Sequence, residues 1–238
     1  DRFGPESIQS IGVDTWGVDF GFLNAEGELM AGPRHYRDSR NTAAMKEVFL
    51  KISEAHIFEK TGIQFMEINT LYQMAAEVAD PRADQFLMIP DLINQRLTGK
   101  AFCERTNAST TQLYNPAKKA WSRALFQAIG LPLSLGPDLI DAGESLGPVL
   151  GGIAGETGLC PETQVVTVGS HDTASAVAAV PAAPGSRFAY LSSGTWSLLG
   201  VELDEPVINP LTARYNFTNE VGVCDTIRLL KNINGLWL

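Results

Sequence analysis

The chain has 238 residues, 45% of them hydrophobic and 19% charged, with 22 Gly and 13 Pro, a profile that fits a globular protein and excludes collagen-like and low-complexity classes. A formal net charge of −9 repels phosphate backbones and argues against nucleic acid and anionic membranes as partners. Cys103, Cys160 and Cys224 are scattered and lack metal-ligand spacing, which fits free thiols in a reducing compartment. No run approaches the roughly 18 apolar residues of a membrane span and no signal peptide opens the chain, so the cytoplasm is the expected location.

In chain order, residues 7–13 read as a strand, followed by the turn Asp14-Thr15-Trp16-Gly17. Residues 18–23 form a second strand, and Asn24-Ala25-Glu26-Gly27 a hairpin turn into 28–30. From Asn41 the period becomes helical: Met45, Val48, Phe49 and Ile52 recur on one face. Further helices are expected over 70–78, 90–97 and 117–129, the second with Pro90 in its first turn and Gly99 past its end. Residues 146–153 form a Gly-rich strand or loop, and 154–158 a turn or short helix. The β-branched run 164–168 is a buried strand. It feeds Gly169-Ser170-His171-Asp172 and a small-residue helix over 173–180. The Pro/Ala/Gly segment 181–186 marks a domain boundary, after which strands are expected over 188–192, 196–201 and 226–230. This succession indicates an α/β protein.

Four places are candidates for chemistry. Asp172 follows a buried strand and opens a helix, where backbone N–H groups and the helix dipole favour a carboxylate. A carboxylate held there can take a proton from a hydroxyl that attacks phosphorus. The ordinary reading of Asp in that position is a helix N-cap, and the two roles are compatible. Asp14 and Asp19 flank Trp16 at the end of the first strand, where polar groups face a ligand crevice in open sheets. An exposed Trp16 indole stacks on the apolar face of a sugar, although a Trp buried in a hairpin has the same spacing. Ser192-Ser193-Gly194-Thr195 joins two strands; a tight turn with hydroxyls and N–H groups can cradle phosphate, and most such turns are simply hairpins. Arg34-His35-Tyr36-Arg37-Asp38 and Arg40 concentrate positive charge, read either as an anion contact or as a solvated loop. His56 sits in a helical stretch and is read as structural. A G-x-x-x-x-G-K-[ST] loop, a G-x-G-x-x-G after a strand, H-E-x-x-H and G-x-S-x-G are all missing, which disfavours P-loop enzymes, Rossmann dehydrogenases, zincins and α/β-hydrolases.

The order and wording of these pieces carry more than each alone. The stretches are Ile11-Gly12-Val13-Asp14-Thr15-Trp16-Gly17-Val18-Asp19-Phe20, His35-Tyr36-Arg37-Asp38-Ser39-Arg40, Thr61-Gly62-Ile63-Gln64-Phe65 and Asn69-Thr70-Leu71-Tyr72-Gln73. They continue with Thr106-Asn107-Ala108-Ser109-Thr110-Thr111-Gln112-Leu113, Ser170-His171-Asp172-Thr173-Ala174 and Tyr190-Leu191-Ser192-Ser193-Gly194-Thr195-Trp196, and close with Leu230-Lys231-Asn232-Ile233 and Gly235-Leu236-Trp237-Leu238. In this order the chain resembles the rhamnulokinase group of the FGGY carbohydrate kinases over nearly its whole length.

That resemblance implies two actin-like (ribonuclease H-like) ATPase domains, with sugar and ATP meeting in the cleft. Residues 1–182 would be the N-terminal sugar-binding domain without its first strands, and 183–238 the start of the C-terminal nucleotide-binding domain. It implies ATP- and Mg²⁺-dependent phosphorylation of L-rhamnulose at its 1-hydroxyl, a step of L-rhamnose catabolism. By match of motif, Asp172 would be the catalytic base. Gly17, His171, Asp172 and Thr173 would line the sugar site, with Trp16 stacking on the sugar. Gly194 and Thr195 would contact ATP phosphate, and Asn232 would lie on the nucleotide side of the shared site. No residue is assigned as a protein metal ligand.

Two departures from the family pattern concern the ends: its Asp-x-Gly phosphate hairpin is expected before Asp1, and most of its nucleotide domain after Leu238. A third is Val221, in Asn219-Glu220-Val221-Gly222, which stands where the family usually carries Gly in what reads as a turn. Rival readings are another FGGY ketose or polyol kinase, a non-catalytic sugar-binding module, and a carboxylate-metal hydrolase built on Asp14, Asp19 and Asp172. Phosphoryl transfer depends on positioning both substrates, so the 238-residue chain by itself is expected to show little or no activity. ATP- and L-rhamnulose-dependent turnover by the isolated chain would overturn this.

Overall fold

The computed structural model describes residues 4, 7–77, 80–183 and 185–236. Asp1, Val78, Pro184, Trp237 and Leu238, on which parts of the sequence reading fall, lie outside the described residues.

The first half of the chain holds β1 (Ser10–Ile11), β2 (Phe20–Leu23), α1 (Arg40–Lys51), α2 (Glu54–Thr61), α3 (Thr70–Ala76), β3 (Gln85–Met88), α4 (Ile89–Thr98), β4 (Cys103–Glu104) and α5 (Arg105–Ala108). It continues through β5 (Tyr114–Asn115), β6 (Ala120–Trp121), α6 (Arg123–Ala128), β7 (Leu139–Ile140), β8 (Ser145–Pro148), α7 (Gly151–Thr157), β9 (Gln164–Val166) and α8 (Asp172–Ala178). Beyond the 181–186 segment come β10 (Ala189–Ser193), β11 (Trp196–Leu203), α9 (Pro210–Arg214), β12 (Thr218–Val221) and β13 (Ile227–Asn234).

Two sheets position the site. In the first, ordered β1-β9-β8, β1 runs parallel to β9 with Ser10 opposite Gln164 and Ile11 opposite Val165. The second is antiparallel, ordered β10-β11-β13-β12. Parallel neighbours finish at the same edge of a sheet, so the loops after β1 and β9 emerge side by side. The main core gathers Val48, Ile57, Leu71, Phe86 and Phe126, and it takes in Val221 and Ile227 from the second sheet. Val177 of α8 packs with Tyr190, Leu198 and Leu230, so α8 covers one face of that second sheet. Apolar burial therefore ties the second sheet to the helices of the main core and to α8, while Leu146 and Val165 of the first sheet pack in a cluster of their own with Ile11.

Several expected elements appear with small shifts. The strand over 7–13 contracts to β1, because its partner β9 is only three residues long. The hairpin at 24–27 forms, closed by Asn24 N–H to Glu28 and by a bridge between Leu23 and Leu29. In α4, Pro90 occupies the first turn and Gly99 caps the end at φ +75°, as the sequence predicts.

Two expectations are corrected. Residues 117–129 are not one helix: a β5–β6 hairpin precedes a short α6. Asn115 accepts a hydrogen bond from the Lys118 N–H at 2.9 Å, a local turn that competes with helix. The Trp121 indole then donates to Pro137 O at 2.7 Å and packs edge-on to Phe86. The segment around Val221 is not a turn but the fully buried strand β12, in which Val221 fills core space. Strand β3, pairing with β2, was not read from the sequence at all. Among the described residues no helix is long and apolar enough to cross a membrane.

Gly62 is a joint between the two halves. It ends α2 at φ +65°, and its carbonyl accepts both the backbone N–H and the side-chain amide of Asn219 in β12, at 2.9 and 3.0 Å. A Cβ there would come within 2.8 Å of Asn219 Nδ2 and of Ile208 Cγ1. Gly62→Ala is expected to destabilise the protein by at least roughly 1–2 kcal/mol from backbone strain alone, read as a lowered urea midpoint.

Candidate active site

The loop after β1 is clamped from three directions. Thr15 N–H donates to Ser170 O and Asp172 N–H donates to Thr15 O, both at 2.9 Å, so this loop and the loop after β9 are laced backbone to backbone. Val18 sits at φ +69°, a conformation that costs a β-branched residue about 1–3 kcal/mol. Its N–H donates to Thr110 Oγ1 at 3.1 Å, while its carbonyl accepts from Thr70 Oγ1 at 2.7 Å and Gln73 Nε2 at 3.1 Å. These bonds hold the strained turn. Gly17 is required beside it, because a Cβ would meet Thr110 Oγ1 at 2.7 Å and Cγ2 at 2.9 Å.

The two aspartates of that loop have different fates. Asp19 is buried and turned inward, accepting from the Trp16 indole N–H at 3.0 Å and from Gln73 Nε2 at 3.2 Å. Burial raises its carboxyl above the ordinary Asp range despite those hydrogen bonds. Its geometry orients Trp16, a residue that stays 46% exposed and lines the cleft. Asp14 is exposed and lies outside the cleft lining.

Asp172 is the first residue of α8, and His171 takes the N-cap position without a side-chain capping bond. The N-cap expectation for Asp172 is thus corrected by one residue. Its Oδ1 accepts from Thr173 N–H at 2.6 Å and Thr173 Oγ1 at 3.2 Å, and its side chain is 54% exposed. Beneath the turn lies Glu104, 1% exposed. Its Oε2 accepts from Ser170 N–H at 3.0 Å and Ser170 Oγ at 2.8 Å, and also from Thr106 Oγ1. Thr106 Oγ1 in turn accepts from His171 N–H at 3.1 Å. One buried carboxylate therefore fixes the backbone that presents His171 and Asp172.

A cleft of about 870 Å³ separates these loops from the second sheet. Trp16, Gly17, His171, Asp172 and Thr173 line one side, and Gly194, Thr195 and Asn232 line the other. The eight residues that the family resemblance assigns to the site thus face one space, whereas Asp14 and Asp19 do not line it. Ser192-Ser193-Gly194-Thr195 is indeed a hairpin, with Gly194 N–H donating to Trp196 O at 2.8 Å. A Cβ on Gly194 would meet only Trp196 O, at 4.0 Å, so the tip is open. Asn232 is held by Gln64: its N–H donates to Gln64 Oε1 at 2.9 Å, and Gln64 Nε2 donates back to Asn232 O at 3.3 Å.

The positive segment divides. Arg34 and Arg40 pair with Glu77 at 3.5 and 3.2 Å, whereas His35 and Arg37 line the cleft. The Arg37 guanidinium lies 5.8 Å from the Trp196 ring centre, and the Trp196 indole donates to Tyr36 Oη at 3.3 Å. His56 pairs with Glu59 at 3.7 Å on the α2 surface, away from the cleft lining.

Sequence reading gave no role to Gln64, Thr110 and Glu220, which it quoted only within motifs, and did not single out Glu104 or Arg228. Glu220 and Arg228 face each other on β12 and β13, and Arg228 is completely buried. Arg228 Nη2 lies 3.1 Å from Glu220 Oε2 and 3.1 Å from His171 Nδ1. Burial pushes the Glu220 carboxyl up, but the Arg228 charge and contacts with His171 and Asn232 outweigh it and hold it below the usual Glu range. Opposed Glu and Arg on adjacent strands form a readable cross-strand pair, once β12 is recognised as a strand.

Among the described residues no group of three or more His, Cys, Asp or Glu side chains is placed to hold a metal ion. Asp14, Asp19 and Asp172 therefore do not form the ligand set of a carboxylate-metal hydrolase.

Residues 2–179 match the FGGY family of carbohydrate kinases, N-terminal domain. A rhamnulokinase of Bacteroides thetaiotaomicron is 47% identical over 98% of the chain and 49% of its own length, and one of Pectobacterium atrosepticum is 45% identical over 96% and 46%. The chain spans about half the length of the curated relatives it matches. A xylulose kinase and a gluconate kinase of Lactobacillus acidophilus each superpose with TM-score 0.82, at 16% and 18% identity, over 97% of the chain and 48% of their own. The fold is the actin-like α/β fold of these sugar kinases, and the chain belongs to the FGGY family of carbohydrate kinases.

Proposed function

We propose that the protein carrying this chain phosphorylates L-rhamnulose at its 1-hydroxyl with ATP, Asp172 acting as the general base. The observation that carries this reading is the placement of Asp172. It is a half-exposed carboxylate in a cleft, with a sugar-sized wall at Trp16 and Gly17 and an open Gly194-Thr195 hairpin opposite. Relatives named rhamnulokinase at 45–47% identity support the ketose over other acceptors. In this reading residues 1–182 form the sugar-binding part, and the nucleotide-binding part begins at 183.

The ketose packs its apolar face on Trp16, and its hydroxyls reach His171, Asp172 and Thr173. Asp172 accepts the proton of the 1-hydroxyl as that oxygen bonds to phosphorus and the bond from phosphorus to the bridging oxygen of ADP breaks. Thr195, Gly194 and Asn232 hold the phosphate side. Bound ATP with Mg²⁺ supplies the phosphoryl group and neutralises its charge. Among the described residues the cleft has no cluster of protein ligands, which suits a magnesium ion held mainly by phosphates and water, with one or two carboxylates at most. A sugar-binding module without catalysis would bind ketose and leave ATP unused.

Asp172→Asn is expected to lower kcat by about 10²–10⁴-fold, while calorimetry still detects the ketose. Turnover measured with L-rhamnulose, L-fuculose and D-xylulose should favour L-rhamnulose in kcat/KM; preference for another ketose would reassign the substrate within the family. Gly17→Ala, which drives a methyl group into Thr110, is expected to raise the ketose KM about tenfold or more, equivalent to about 1.4 kcal/mol.

A further inference from the structure

We infer that Arg228 and Glu220 are positioning residues that fix the tautomer of His171, so that its Nε2–H faces Asp172 and the cleft. The catalytic consequence rests on the kinase reading above; the tautomer itself does not.

Arg228 Nη2 is 3.1 Å from His171 Nδ1 in hydrogen-bonding geometry. A guanidinium has donors and no acceptor. The bond therefore requires a lone pair on Nδ1, and the neutral ring carries its hydrogen on Nε2. Nε2 points the other way, 3.5 Å from Asp172 Oδ1. Glu220 Oε2 also lies 3.2 Å from Nδ1 and is the competing partner, because an Nδ1–H tautomer would point at it; among the described residues that oxygen makes no hydrogen bond of acceptable geometry, whereas Nδ1 makes one with Arg228. Its part is to balance the buried Arg228 charge, which would be costly alone. The guanidinium is steered as well, because Arg228 Nε donates to Val221 O at 3.2 Å. Both side chains come from opposed positions of β12 and β13, so the second sheet sets the protonation pattern of a residue in the loop after β9.

The arrangement sorts the two candidate bases. The Nδ1 lone pair of His171 is engaged by Arg228, and Nε2 has a hydrogen in place of a lone pair. His171 can donate to a sugar oxygen or to Asp172 but cannot receive the proton of the attacking hydroxyl. That proton goes to Asp172.

The test is histidine ¹⁵N NMR on the full protein, with the His171 signals assigned by their loss in His171→Gln, alongside steady-state kinetics. The wild type is expected to show neutral His171 protonated on Nε2. The paired variant Arg228→Met with Glu220→Gln leaves no lone buried charge. It is expected to keep a cooperative melt, lose the single tautomer, and lower kcat by about tenfold to a hundredfold with a much smaller change in ketose KM. Should Arg228→Met alone fail to fold, the paired variant and the wild-type spectrum still decide the matter. A wild-type ring protonated on Nδ1, or a paired variant with unchanged tautomer and kcat, would overturn the inference. An Arg228-dependent Nε2–H tautomer in a protein that phosphorylates no ketose would support it while removing the kinase reading.

Discussion

Two backbone hydrogen bonds, from Thr15 to Ser170 and from Asp172 to Thr15, set the distance between the Trp16–Gly17 wall and the carboxylate of Asp172. They are possible because β1 and β9 run parallel and end at one edge. A single pair of bonds between exposed loops would fray readily. Here the pair is locked from behind by Glu104, which binds Ser170 through both backbone and side chain, and from the side by Thr110, which bonds Val18 and packs against Gly17. Any change that loosens these anchors moves both halves of the sugar site together, and small misplacements of reacting groups are costly to phosphoryl transfer.

What the sequence made legible follows from the range of the interaction involved. Local signals worked: α4 carries its Pro90 start and Gly99 stop within its own residues, and the 164–168 run announced β9. The cleft residues were reached through ordered motifs, since position alone assigned Asp172 to capping, which is off by one residue, and Ser192–Thr195 to a plain hairpin, which holds. Residues that act through distant partners stayed hidden. Gln64 bonds a strand 168 positions later, and Glu104 bonds Ser170 at a separation of 66; no periodicity encodes such pairings. Strand β12 was misread because a turn was expected where the family pattern carries Gly at the Val221 position, whereas tertiary partners make the segment a buried strand. Propensity yields where side-chain amides and charges find exact counterparts.

Most of the buried acidic and basic side chains lie under the site, with Asp91 one step further back on the Glu104 N–H. Glu104, Asp19, Glu220 and Arg228 are all nearly inaccessible, and each touches a residue that faces the cleft or its supporting turn. A buried ion pair such as Glu220–Arg228 is weak evidence for stability, since apolar residues of the same volume often do as well. Its contact with His171 offers a better reason for its presence: it orients a ring whose two nitrogens have different jobs.

The carboxylates then divide by environment. Asp19 is held by Trp16 and Gln73, and burial raises its carboxyl. Glu104 is saturated with donors, and Glu220 is engaged with Arg228. Asp19 and Glu104 do not line the cleft, and Glu220, which does, is nearly inaccessible and ion-paired with Arg228. Asp172 has its side chain half exposed, with only Oδ1 engaged by Thr173 in the described contacts. A base must meet its substrate in water-accessible space and still be fixed in direction. Of these four carboxylates Asp172 alone meets both conditions, with direction supplied by the helix start and access by the cleft.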